Sequence, residues 1–63
     1  MDCKSNIILI KVIRNGEIVT VRKAENQFFV DKKNSIELWE RRNGLDRLVK
    51  RFNKKSVLWI VEE

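Results

Sequence analysis

The feature that most constrains this chain is the pair Asn15-Gly16, set between two β-branched runs. Ile7 to Ile13 precedes it, and Glu17-Ile18-Val19-Thr20-Val21-Arg22-Lys23 follows. A two-residue hairpin loop needs a left-handed backbone at both positions, and Asn-Gly meets that need best. With Asn15-Gly16 as the loop, Arg14 pairs with Glu17, Ile13 with Ile18, Val12 with Val19 and Ile10 with Val21. Side chains alternate across a strand. One face then carries Ile8, Ile10, Val12, Val19 and Val21 as a core face. The other carries Ile7, Leu9, Ile13 and Ile18 with Lys11, Thr20 and Arg22. The first strand is thus apolar on both faces, which implies a central strand or a strand that meets a partner.

Downstream, Gln27-Phe28-Phe29-Val30 is consistent with a short third strand, and Asp31-Lys32-Lys33-Asn34 with a polar turn. The spacing predicts one amphipathic helix over about 35–53. Asn34 or Ser35 would be the N-cap, and Asn34 with Glu37 has capping-box spacing. Leu38, Leu45, Leu48, Val49 and Phe52 would fall within about 100° of arc. Gly44 would weaken that helix by about 1 kcal/mol against Ala, or split it. A second hairpin about Asn43-Gly44 is the rival. It fits less well, because Leu45 to Phe52 shows helical spacing and not alternation. Val57-Leu58-Trp59-Ile60-Val61 reads as a final strand inside a sheet. The expected fold is α+β: an N-terminal hairpin, a possible short third strand, one helix and a C-terminal strand, the helix packed on a small, mainly antiparallel sheet. At 63 residues the chain is a single small domain, 1–63.

Composition narrows the function. The chain has no His and one Cys, so imidazole catalysis, imidazole metal ligation, an internal disulfide and a four-thiolate zinc site are excluded. Cys3 beside Lys4 reads as a spectator thiol. No phosphate-cradling Gly loop and no convincing carboxylate constellation is present. The expectation is a protein that is not an enzyme and has no cofactor or metal. The N-terminus has no signal-peptide pattern and no run of apolar residues is long enough to span a membrane. A cytoplasmic protein is expected, in the host cytoplasm if its source is viral.

Charge then suggests partners. Lys plus Arg number 14 against 9 Asp plus Glu, a net +5. Arg41, Arg42, Arg47, Lys50, Arg51, Lys54 and Lys55 crowd into 41–55 with Asp46 as the one acid. On the expected helix, Arg47, Lys50, Arg51 and Lys54 share the outer face near Trp39, Lys55 continues the patch, and Arg42 reaches it from the edge. Such a cluster suits phosphate-backbone binding to DNA or RNA, with Trp39 available to stack a base. Trp39 can equally be a boundary residue covering a sheet edge or Phe28/Phe29, and Trp59 is expected in the core. The alternative is an inhibitor, antitoxin or adaptor docking on a larger enzyme through Ile7, Leu9, Ile13 and Ile18, steered by its basic residues to an acidic protein surface. A homodimer would also cover that face. In size, element order and Lys/Asn/Ile-rich composition, the chain looks like the small accessory proteins that bacterial viruses make to control host enzymes. That likeness adds weight to the docking alternative and assigns no residue roles.

Overall fold

The computed structural model describes residues 6–63. Cys3 lies outside them. The described chain is built from β-strands with one short 3-10 turn: β1 (Ile7–Arg14), β2 (Glu17–Arg22), β3 (Gln27–Asp31), β4 (Ser35–Arg42), β5 (Leu45–Asn53), the turn Lys54–Ser56, and β6 (Val57–Glu62). They form two antiparallel three-stranded sheets, ordered β2-β1-β6 and β3-β4-β5.

The first hairpin forms in the register that its turn dictates. Arg14 faces Glu17, Ile13 faces Ile18, Val12 faces Val19 and Ile10 faces Val21. Asn15 and Gly16 both take positive φ, 52° and 77°. The same geometry recurs at Asn43 and Gly44, with φ of 53° and 77°. The expected helix over 35–53 is therefore replaced by a second hairpin, β4–β5, and the α+β expectation gives way to an all-β arrangement of the described residues.

A bulge explains the misleading spacing. Leu38 pairs with Lys50 but Trp39 pairs with Leu48, so Val49 is an extra residue in β5. One inserted residue exchanges the two faces of a strand from that point on. Leu45, Leu48, Val49 and Phe52 thereby acquire the i, i+3, i+4, i+7 pattern of a helix while lying on a bulged strand. They share no core stripe: Phe52 is buried, whereas Leu45, Leu48 and Val49 are exposed.

The sheets enclose one core. Ile7, Ile10 and Val12 of β1 meet Phe29 of β3, Ile36 and Leu38 of β4, and Phe52 of β5. Each such side chain contributes about 1.5–3 kcal/mol when fully buried. Val21 and Val57 pack against the margin. Two expectations about faces change. Ile7 pairs with Glu62 and Leu9 with Val61, so Ile8 is an extra residue in β1. That bulge turns Ile7 into the core and leaves Ile8 only half-buried. In addition, β6 is an edge strand and not an interior one. A third bulge, at Leu58, separates the pairs Lys11–Trp59 and Val12–Val57. Leu58, Trp59 and Ile60 are exposed, so Trp59 is not a core residue.

Gly44→Ala separates the strand fold from the helix. No atom lies within 4 Å of a Cβ added there, so the effect is one of backbone strain at positive φ. Denaturant unfolding should show a loss of about 1 kcal/mol. In a helix interior the same substitution would stabilise by a similar amount.

Candidate functional site

The basic residues of 41–55 do not form one surface. On a strand, neighbours in sequence point to opposite faces. Arg51 lies on the outer face of the second sheet, while Lys50 lies beside Phe52 on its inner side, its ammonium 5.7 Å from the ring centroid. Arg42 and Arg47 stand nearer the Asn43-Gly44 tip, and Lys54 and Lys55 belong to the 3-10 turn. Asn53 caps that turn by accepting a hydrogen bond from the Lys55 N–H at 2.9 Å.

Four of the seven cations are also matched by acids. Arg41 contacts Asp46 at 2.8 Å, Arg47 contacts Glu40 at 3.2 Å, Arg51 contacts Glu37 at 2.8 Å and Lys54 contacts Asp31 at 2.6 Å. Most of these acids lie on neighbouring strands, where sequence proximity does not show them. Arg42, Lys50 and Lys55 have no ion pair with a described residue.

Glu37 is the hub of the second sheet's outer face. Its side chain is only 1% exposed. Trp39 Nε1–H donates to Oε1 at 2.9 Å, Arg51 Nε–H donates to Oε2 at 2.8 Å, and Lys32 Nζ lies 3.5 Å from Oε1. Burial pushes the carboxyl pKa up. The Trp39 and Arg51 hydrogen bonds, with the Lys32 and Arg51 charges, outweigh that and hold it below its ordinary value. Trp39 is thus committed to a structural contact. It is half-buried, directly opposite Phe28 on β3, and its indole N–H is occupied. Arg41 stacks on the same Phe28 ring at 5.7 Å.

Two adjoining surfaces border the first sheet. The first is a groove between the end of β1 and the end of β5, with a volume of about 180 Å³. Arg14, Lys50 and Arg51 line it with Asn53 and Ser56, and no carboxylate does. The second is the outer face of the first sheet. Lys11 stands between Thr20 on β2 and Trp59 on β6, Ile13 faces Ile18, and Leu9 lies between Arg22 and Val61. Trp59 is 63% exposed, and Ile18 is 64% exposed. With Lys11 and Leu58 they border an open depression of about 350 Å³. Ile13 also lines the basic groove, so the two surfaces adjoin.

Of the apolar residues expected on an interface, Ile13 and Ile18 are exposed here, whereas Ile7 and Leu9 are buried. Trp59 is the residue that sequence reasoning misplaced. The uninterrupted apolar run around it reads as a covered strand, and its exposure follows only from the place of β6 at the sheet edge.

Among the described residues, no three His, Cys, Asp or Glu side chains gather in a way that could hold a metal ion. No helix among them is long and apolar enough to cross a membrane. Comparison of the chain with protein-family models, with curated proteins and with solved structures gives no significant match.

The Glu37 hub predicts a pH dependence. A carboxylate whose folded pKa is depressed contributes stability above its unfolded pKa and loses it as pH falls through the folded value. Wild-type stability should therefore decline below the ordinary carboxyl value of 4.5. Glu37→Gln should cost about 1–3 kcal/mol at neutral pH and flatten that acid limb in urea unfolding at a series of pH values. An unchanged acid limb would show that Glu37 is not its source.

Proposed function

We propose that the protein is a non-enzymatic binding protein that takes single-stranded nucleic acid on the outer face of its first sheet. One observation carries this reading: an exposed Trp59 paired with Lys11 on the outer face of the first sheet. Bases present π-faces to aromatic side chains, and a stacked base contributes about 1–3 kcal/mol. Trp59 is the stacking platform. Lys11 beside it, Arg22 across the face on β2, and Arg14 and Lys50 in the adjoining groove are the phosphate contacts. Duplex DNA fits this arrangement less well, because its bases are already stacked. Nothing on the face offers a donor–acceptor pattern for reading a base, so binding is expected to be tolerant of sequence.

The placement differs from a basic helix with Trp39 as its aromatic residue. Trp39 is held by Glu37, and ion pairs occupy Arg47, Arg51 and Lys54.

A second reading is favoured by Ile13 and Ile18, which face each other and are both exposed. An apolar pair next to a Trp also suits a protein partner with an acidic rim, as an inhibitor or adaptor would require.

Fluorescence anisotropy with labelled oligonucleotides distinguishes the readings. Single strands should bind more tightly than duplexes. With about four phosphates neutralised, affinity should fall about 50-fold between roughly 50 and 200 mM salt. Trp59→Ala should weaken binding about tenfold, and Lys11→Glu should weaken it and reduce the salt slope. Absence of binding at low salt, or Trp59→Ala behaving as wild type, would overturn the nucleic-acid reading.

A further inference from the structure

The charge pattern around β6 indicates what its open edge meets. Among the described residues β6 pairs with β1 on one side only, and none of them forms a ladder along its other side. Natural edges of this kind are blunted by charge, Pro or cover. From Val57 to Val61 the strand has neither charge nor Pro, and Leu58, Trp59 and Ile60 are exposed. Charges stand only at its two ends and differ in sign: Lys54-Lys55 before it, Glu62-Glu63 after it. Lys54 is taken by Asp31. Lys55, Glu62 and Glu63 are exposed and have no ion pair with a described residue.

We propose that this edge pairs antiparallel with the β6 edge of a second copy, about a two-fold axis at Trp59. In that arrangement the turn bearing Lys55 lies toward Glu63 of the partner subunit, and Val57 lies toward Val61 of the partner subunit. Symmetry forms each of these pairs twice. A parallel alignment would instead set Lys55 against Lys55 and Glu62 against Glu62, and like charges directly opposite are destabilising. The charges therefore select the antiparallel direction. The bulge at Leu58 leaves Trp59 to Glu62 as the regular part of the strand. The interface is short, and dimerisation is concentration-dependent.

The consequence is a six-stranded sheet ordered β2-β1-β6-β6-β1-β2. Its outer face is continuous across the axis, with the two Trp59 side chains at the centre. Such a face would offer adjacent stacking platforms to one strand of nucleic acid, but the pairing stands without that function.

Sedimentation equilibrium of the protein alone tests the proposal. The wild type should pass from monomer to dimer as concentration rises. Lys55→Glu and Glu63→Lys should each weaken the dimer about tenfold, through two like-charge contacts per dimer. The double variant Lys55→Glu/Glu63→Lys should return to near wild-type affinity. Denaturant unfolding of each variant establishes that it is folded. A wild type that stays monomeric at every concentration would overturn the proposal, as would a double variant no tighter than the singles. A monomer that still binds oligonucleotides would overturn the dimer and leave the nucleic-acid reading intact.

Discussion

The architecture depends on two Asn-Gly turns. At Asn15-Gly16 and Asn43-Gly44 the backbone takes positive φ at both positions, a geometry that twists with the flanking strands and fixes their register. From the first turn follow the faces of β1 and β2, and from the second those of β4 and β5 as far as the bulge at Val49. The registers bring Ile10 and Val12 toward Phe29, Ile36 and Phe52, and that contact is the core. The second turn sets Glu40 opposite Arg47, and the bulge at Val49 then sets Glu37 opposite Arg51.

The described residues form two layers of three strands each. Their core lies between the sheets, and each sheet has an outer face against which no other described strand packs. The two outer faces have been resolved differently. On the second sheet, Trp39, Glu37, Arg51 and Lys32 satisfy one another, and a buried carboxylate is fully partnered. On the first, Trp59, Ile18 and Ile13 are left in water beside Lys11. An exposed apolar face on so small a domain has a free-energy cost in solubility, which is why it reads as a binding surface.

How much the sequence reveals differs between the two halves. The first hairpin is legible down to individual cross-strand pairs, because Asn15-Gly16 and the residues around it agree on one register. The second half is not. The insertion of Val49 spaces Leu45, Leu48, Val49 and Phe52 as a helix would, and the same periodicity gathers Arg47, Lys50, Arg51 and Lys54 into a patch that the strand disperses. The second Asn-Gly pair was the better guide, since turn chemistry is local and bulges do not alter it. Trp59 was obscured for another reason: an uninterrupted apolar run suits a covered strand, and only the topology shows that β6 has a neighbour on one side. The bulge at Ile8 has the same character, moving Ile7 from the face expected to meet a partner into the core.

The central claim is that the face bearing Trp59 is where the ligand lies. The most direct test is a titration of isotope-labelled protein with a short single-stranded oligonucleotide, followed by amide and indole chemical shifts. The account predicts the largest changes at the Trp59 indole and at Lys11, Ile18, Thr20 and Arg22, with the Trp39 indole unmoved in its hydrogen bond to Glu37. Changes centred on Trp39 and the Asn43-Gly44 tip, with the Trp59 signals unaltered, would contradict it.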